Sequence, residues 1–166
     1  MTNLDLHDIA RAARTYGVHA FYVVTPLTDQ QELVKRLLNH WLEGGGLQYN
    51  PARGEALKLI RIADSVENVR QEIQAQEDRR AKTVVTCAKE HPGNLGFRQF
   101  REMLDKEVGD PYLLMFGTAW GISPDFMAAA DHVLEPVRGN TDYNHLSVRS
   151  AASIILDRLL GSHIRE

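Results

Sequence analysis

Apolar residues recur at helical or strand spacing along the chain, and the pattern changes from one period to the other several times. The stretch 5–16 places its apolar side chains on one helical face, and Gly17 follows as a stop signal. These side chains are Leu6, Ile9, Ala10 and Ala13. Residues 19–25 are β-branched and aromatic and end at Pro26, which predicts a buried strand. The chain therefore opens with a helix, a turn and a strand.

The next part of the chain predicts the same alternation. Thr28 is a candidate N-cap with Gln31 in the capping-box position, which predicts a helix up to the glycines 44–46. Residues 47–56 predict a polar connection, and residues 57–63 a short strand. Ser65 then caps a charged helix that we expect to reach about residue 79.

Three more strands are expected in the second half, over residues 82–88, 112–116 and 132–137. Helices are expected over residues 97–107 and 146–160, and a short one starting at Ser123. Regular alternation of helices and strands is typical of an α/β protein with a mostly parallel sheet and helices on both faces. No composition shift marks a boundary, so residues 1–166 are expected to form a single domain.

The composition fits a packed globular protein. The chain has 166 residues, of which 43% are hydrophobic and 25% charged, which excludes a disordered or fibrous class. No apolar run approaches the roughly 20 residues needed to cross a bilayer, and the first residues lack a basic stretch followed by an apolar one. We therefore expect a cytoplasmic protein with no membrane partner. The single cysteine, Cys87, excludes an internal disulfide.

The net charge of −3 gives no overall attraction to a polyanion. Nucleic-acid binding would therefore need basic residues that cluster in space. Local groups of basic residues exist, among them Arg11 with Arg14 and Arg98 with Arg101. Solvated helix faces are the alternative explanation for each of these groups.

Candidate chemistry lies in the loops that follow the predicted strands, because ligands of open parallel sheets bind beyond the carboxyl ends of the strands. The loop 117–121 begins and ends with glycine, which allows a tight bend or a close backbone approach by a ligand. The loop 136–139 follows the last strand. Neither loop carries a phosphate-binding GxxxxGK[ST] or GxGxxG motif, and the histidines lack metal-site spacing, so we expect no metal.

Three C-terminal segments together resemble the knotted region of SPOUT-type RNA methyltransferases. They are Phe116-Gly117-Thr118-Ala119-Trp120-Gly121-Ile122, Leu134-Glu135-Pro136-Val137-Arg138-Gly139 and Asn144-His145-Leu146-Ser147-Val148-Arg149-Ser150-Ala151-Ala152. The likeness also covers residues 3–13, 16–18, 41–44 and 49–51. More narrowly, the chain resembles a small bacterial family of S-adenosylmethionine-dependent RNA methyltransferases.

The resemblance implies a C-terminal trefoil knot over about residues 86–160, an S-adenosylmethionine site, an RNA substrate in rRNA or tRNA, and a homodimer that completes the site. Its cofactor loops bind the methyl donor mainly through backbone groups. The matching residues are Thr86, Ala88, Gly117, Thr118, Trp120, Gly121, Leu134, Pro136, Val137, Gly139, Leu146 and Ser147. The dimer would also suit the apolar terminal helix, with Ile154, Ile155, Leu156, Leu159 and Leu160.

Candidate catalytic residues come from the same resemblance. In the ribose-methylating branch the N-terminal motif supplies an arginine, which corresponds to Arg11, and the third motif places Asn144 and His145 near the reacting groups. His145 stands where the wider superfamily commonly has asparagine. A surface arginine and a helix-capping asparagine are the alternatives for Arg11 and Asn144.

Two other functions fit parts of the pattern. A non-catalytic regulatory or scaffold protein would keep the fold and the S-adenosylmethionine or S-adenosylhomocysteine site, and the negative charge favours it. A doubly wound domain for another small molecule would follow if the likeness were coincidental. The family ordinarily begins with a strand before the motif 3–13, so we also expect that first strand to be missing here.

Overall fold

The computed structural model describes residues 2–44, 50–118 and 121–162. The chain divides into two compact units, residues 1–71 and residues 72–166. Whether they form the single domain expected from the sequence stays a prediction. None of the helices in the described ranges is long and apolar enough to cross a membrane.

The first unit combines helices with a two-stranded parallel sheet. Its elements are α1 (Asn3–Thr15), β1 (Phe21–Val24), α2 (Thr28–Leu42), α3 (Pro51–Leu57) and β2 (Ile60–Ala63), followed by α4 (Val66–Glu77), in which the boundary between the units falls. Strand β1 pairs with β2, with Phe21 opposite Ile60. The core consists of Leu6, Ala10, Val23, Val34, Leu37, Ala56, Leu57 and Ile60.

Helix α1 begins with a complete capping box. The Thr2 hydroxyl accepts from the Asp5 N–H at 3.3 Å, and the Asp5 carboxylate accepts from the Thr2 N–H at 2.9 Å. These bonds satisfy backbone donors that a helix start otherwise leaves open. The apolar face predicted for this helix is confirmed, because Leu6, Ile9, Ala10 and Ala13 are all buried.

Two local predictions in this unit are wrong. Residues 51–57 form α3, not a connection and the start of a strand, because the Asn50 side chain accepts from the Arg53 N–H at 3.0 Å and Pro51 opens the helix. Asparagine followed by proline is a strong helix start, so the signal was present. At α2 the N-cap is Leu27, without a side-chain bond, and Gln31 instead donates to the Thr25 carbonyl at 2.9 Å.

The second unit contains a three-stranded parallel sheet. Its elements are β3 (Lys82–Thr86), α5 (Phe97–Lys106), β4 (Tyr112–Met115), α6 (Pro124–Ala129), β5 (His132–Leu134) and α7 (Val148–Leu160). The strand order is β4-β3-β5, so β3 is the central strand. The predicted α/β fold with parallel pairing is confirmed, but in the described residues the strands form two sheets and not one.

The core of the second unit lies against the central strand. It consists of Val84, Leu95, Phe97, Phe100, Leu134, Ile155 and Leu159. The middle of the central strand is buried, at Thr83, Val84 and Val85. Three of the five α7 residues expected to serve a dimer, Ile155, Leu156 and Leu159, are buried within this chain. Burial in the core therefore accounts for much of the apolar character of this helix.

A partly buried polar contact joins the beginning of β3 to the residue before β5. Thr83, which is 2% exposed, donates from its N–H and from its hydroxyl to the Asp131 carboxylate, both at 2.7 Å. In return the Asp131 N–H donates to the Thr83 hydroxyl at 3.0 Å. Buried donors need such partners, so this exchange stabilises the pairing of the two strands.

Replacing Asp131 with alanine should lower the free energy of unfolding by about 1–3 kcal/mol, because the buried Thr83 N–H loses its acceptor. Urea unfolding followed by circular dichroism measures the change. Asp142→Ala serves as control, since Asp142 is an exposed loop residue. Equal and small changes in both variants would contradict the role given to Asp131.

Candidate functional site

Three loops leave the sheet of the second unit at one edge. They are the β3 loop (residues 87–96), the β4 loop (described residues 116–118 and 121–123) and the β5 loop (residues 135–147). All three strands are parallel, so their carboxyl ends lie on the same side of the sheet. Because β3 is central, its loop starts between the other two. This edge is where the sequence predicts the ligand site.

The β3 and β5 loops are tied together by side chains. The Asn144 amide donates to the Ala88 carbonyl at 2.8 Å, and the Arg138 guanidinium donates to the Glu90 carboxylate at 2.6 Å. Backbone bonds on both sides of Leu95 add to this link, since its N–H donates to the Val133 carbonyl at 2.8 Å and its carbonyl accepts from the Glu135 N–H at 2.9 Å. The two loops therefore hold each other in a defined arrangement.

The β4 loop folds back on itself next to the end of β4. Thr86 donates from its hydroxyl to the Met115 carbonyl at 2.9 Å, joining the ends of β3 and β4. The Gly121 N–H donates to the Thr118 carbonyl at 3.0 Å, and Gly121 has a φ of +80°, which favours glycine. A Cβ on Gly117 would lie 2.5 Å from the Gly121 carbonyl carbon. The first glycine is thus required by the close packing of the loop.

An open cleft of about 640 Å³ lies between the β3 and β5 loops. It is lined by Glu90, His91, Pro92, Gly93, Asn94, Glu135, Pro136 and Arg138. The Glu90–Arg138 ion pair belongs to this lining, and both side chains are more than half exposed. The cleft therefore combines charged groups with the ring of Pro92 at the predicted edge of the sheet.

Most of the predicted cofactor residues lie in these three loops or at the strand ends that lead into them. Leu134 and Pro136 are buried; Leu134 belongs to the core of the second unit, and Pro136 is part of the cleft lining. Gly139 is exposed, and a Cβ there would meet no atom within 4 Å. Val137 packs against the core cluster, whereas Thr118 is exposed. Trp120 lies outside the described residues.

The residues of the third motif have distinct local roles. Ser147 is the N-cap of α7 and accepts from the Ser150 N–H at 3.3 Å. Asn144 does not cap that helix, so the capping explanation for it is wrong; its amide instead joins the two loops. His145 is exposed, with its ring 6.4 Å from that of Tyr143, and Leu146 is 43% exposed.

Two residues of the site were quoted in the sequence motif without a role. Glu135 accepts from the Phe97 N–H at 2.6 Å, at the start of α5, where the N-cap Gly96 has no side chain to bond. A carboxylate is favourable at a helix start. Arg138 pairs with Glu90. Glycine at the N-cap position was the sequence signal, because it has no side chain to accept from the backbone N–H groups at the helix start, and another residue must do so.

Arg11 lies in the first unit, on α1, and its side chain is exposed. It shares the helix with His7 one turn earlier and with Arg14, also exposed, at the next turn. Among the described residues no carboxylate forms an ion pair with Arg11. In the same ranges no group of three His, Cys, Asp or Glu side chains is arranged to hold a metal ion.

Gly117→Ala should lower the free energy of unfolding by about 1–3 kcal/mol, because the added methyl group meets backbone that has no room to move. Gly139→Ala, in the β5 loop, should change it by no more than about 0.5 kcal/mol, since its Cβ enters open space. Urea unfolding of both variants tests the contrast. Equal stability of the two would contradict the tight β4 loop.

Comparison with known proteins places the chain among methyltransferases. A tRNA (guanine-N(1)-)-methyltransferase of Oleidesulfovibrio alaskensis is 44% identical over 161 residues, covering 97% of this chain but 37% of the relative. An uncharacterized protein of Aquifex aeolicus is 42% identical over 158 residues, covering 95% of this chain and 77% of the relative. The chain therefore spans just over a third of the first relative and most of the second.

The fold is also found in solved structures. The SpoU methyltransferase AviRb from Streptomyces viridochromogenes, in complex with AdoMet, matches with a TM-score of 0.62 at 18% identity, covering 100% of this chain and 58% of that protein. The family profile described as SAM-dependent RNA methyltransferase matches residues 1–161. Fold, motifs and family profile agree, and the chain belongs to the SAM-dependent RNA methyltransferase family.

Proposed function

We propose that this chain binds S-adenosylmethionine in the loops after β3, β4 and β5 and transfers its methyl group to RNA. The observation that carries the proposal is the convergence of these three loops, with the family's motifs on them, at one edge of a parallel sheet. The carboxyl edge of a parallel sheet is a general location for such ligands.

The residues of the loops suit this cofactor. Bound S-adenosylmethionine supplies a methyl group on a sulfonium, and its transfer needs in-line positioning and no metal. Exposed backbone around Gly139 allows a ligand to approach the chain closely, and the half-exposed Leu146 offers an apolar surface. The bonds of Asn144 to Ala88 and of Arg138 to Glu90 hold the β3 and β5 loops in place before a ligand binds. Such preorganisation reduces the cost of ordering the site.

We propose tRNA as the first substrate to test, because the curated relative that shares 44% identity carries a tRNA methyltransferase name. The guanine-N(1) position in that name belongs to a protein of which this chain matches 37%. The acceptor atom and the class of RNA are therefore to be determined by experiment. Nucleoside mass spectrometry of the methylated product, with tRNA and rRNA tested as separate substrates, distinguishes ribose from base methylation and tRNA from rRNA.

Arg11 is our candidate for the charged group that assists the acceptor. A guanidinium can stabilise negative charge that develops on an acceptor oxygen, or bind a phosphate with two N–H donors. Its exposed position on α1, with no ion pair among the described residues, leaves the guanidinium available for this role. Asn144 and His145 are proposed to face the reacting groups from the β5 loop.

The homodimer, the knot and the location in the cell are proposed on the basis of the family. We propose a homodimer, a trefoil knot over about residues 86–160, and a cytoplasmic location where RNA is modified. The dimer proposal rests on the family and not on α7, because Ile155, Leu156 and Leu159 are already buried in this chain. Light scattering that finds only monomers at micromolar protein would contradict the dimer.

A regulatory protein that binds the cofactor without catalysis is the second candidate. The net charge of −3 favours it, since it opposes binding to a polyanion. Incubation with tritiated S-adenosylmethionine and bulk bacterial tRNA separates the two functions. Label in the RNA supports the enzyme, and cofactor binding without any RNA label supports the regulator.

Calorimetric titration with S-adenosylhomocysteine should give a dissociation constant on the order of micromolar for the unaltered chain. Gly139→Val should weaken this binding by about tenfold, or about 1.4 kcal/mol, because its side chain enters the space proposed for the ligand. Asn140→Ala, at the adjacent exposed residue, is the control. Absence of binding by the unaltered chain would refute the cofactor site.

Arg11→Ala should slow methyl transfer by about 10²- to 10³-fold, the usual effect of removing one group that stabilises developing charge. Its affinity for S-adenosylhomocysteine should not change. Arg14→Ala is the matched control, because it removes an exposed arginine from the same helix. Equal rates for the two variants in the tritium assay would remove Arg11 from the mechanism.

A further inference from the structure

Two basic side chains of the first unit, which the proposed chemistry does not use, contact the same aromatic ring. The Arg53 guanidinium carbon lies 4.8 Å from the centre of the Trp41 ring, within the range of a cation–π contact. The His7 ring meets the same indole edge-on, with ring centres 5.4 Å apart. We call His7, Trp41 and Arg53 the Trp41 cluster.

The Trp41 cluster joins three helices of the first unit. His7 comes from α1, Trp41 from the last turn of α2, and Arg53 from α3. Helices α1 and α3 both contribute to the unit's core, through Leu6 and Ala56 among others, so the three side chains stand on packed elements. Their positions are therefore set by the fold before any ligand binds.

The positive charge of the cluster comes from arginine and not from the imidazole of His7. The pKa of His7 is lowered, first by burial and next by the positive charge of Arg53, with Arg11 acting in the same direction and Asp8 in the opposite one. Both arginines therefore lie close enough to oppose protonation of the imidazole. Within residues 2–44, 50–118 and 121–162, no carboxylate forms an ion pair with Arg53.

Several basic groups of the second unit differ in this respect. Arg79, Arg80, Lys82 and Arg138 each form an ion pair with a carboxylate. In the Trp41 cluster, by contrast, Arg53 Nε and His7 Nδ1 are buried atoms that no described residue meets with a hydrogen bond. Buried polar atoms of this kind are unusual in proteins, and they leave the cluster with bonding capacity that the described residues do not fill.

We propose that the Trp41 cluster, together with the adjacent Arg11, binds a backbone phosphate of the RNA. An arginine held over an aromatic ring can present its planar set of donors to phosphate oxygens. A chain with a net charge of −3 has no overall attraction to RNA, so binding needs a local positive site, and the guanidinium groups of Arg53 and Arg11, which form no ion pair with a described carboxylate, are suited to it. The inference rests on the proposed function, because it takes the ligand to be RNA.

The test measures binding of bulk bacterial tRNA at salt concentrations between roughly 50 and 200 mM. Arg53→Gln should weaken binding by about tenfold, the effect of losing one charge-assisted contact. The slope of log affinity against log salt should become shallower by about 0.7–0.9, because one phosphate contact is lost. Arg53→Lys keeps the charge without the planar donors, so it should bind more weakly but keep the unaltered slope.

Arg61→Gln is the matched control. Arg61 also lies over an aromatic ring in the first unit, with its guanidinium carbon 5.6 Å from the centre of Tyr22 and a hydrogen bond of 3.0 Å to the Tyr22 hydroxyl. Its loss should leave tRNA affinity and salt slope unchanged. Circular dichroism of each variant shows that it is folded, and if Arg53→Gln is not, Arg53→Lys carries the test.

Two results would overturn the inference: no binding of tRNA by the unaltered chain, or equal affinity and slope for Arg53→Gln and Arg61→Gln. Failure of the proposed function is a separate observation. In that case the unaltered chain would bind tRNA with the salt dependence described, but would neither bind S-adenosylhomocysteine nor transfer label to the RNA.

Discussion

Parallel pairing of β3 with β4 on one side and with β5 on the other is the constraint on which the site depends. Since parallel strands have all their carboxyl ends at one edge, three loops that are distant in sequence start next to one another. The partly buried exchange of hydrogen bonds between Thr83 and Asp131 stabilises this arrangement at the opposite end of the same strands. An apolar central strand makes the pairing favourable, because Val84 and Val85 are buried on the sheet.

The loops themselves reach a defined shape by different means. The β4 loop is compact because Gly117 has no side chain to meet the backbone of Gly121. The β3 and β5 loops, in contrast, are joined by polar side chains, Asn144 to Ala88 and Arg138 to Glu90. The glycine allows the loop backbone to pack closely, and the polar hydrogen bonds fix the positions of the β3 and β5 loops relative to each other. Both are suited to a site that binds its ligand largely through backbone groups.

The net charge of the chain does not show where its paired and unpaired basic side chains lie. Several basic side chains of the second unit are neutralised by nearby carboxylates, as Lys82 is by Glu107 and Asp110. That contact holds the pKa of Glu107 below its usual range, with Lys82 as the main cause. Arg53, held on Trp41 in the first unit, has no such partner among the described residues. An acidic protein can in this way retain a local site for an anion.

The alternation of helix and strand, the strand positions within a few residues, and the loops proposed to carry the site follow from the sequence. Local rules suffice there, because periodicity reports which face of an element is buried and strand ends report where loops begin. Helix α3 was missed although Asn50 and Pro51 signal it, because the polar residues around them hid the helical pattern.

Only the tertiary structure decided that Asn144 joins two loops and does not cap α7. It also brought His7, Trp41 and Arg53 together. Such contacts depend on how helices and strands far apart in the chain pack, and no local pattern of residues contains that information.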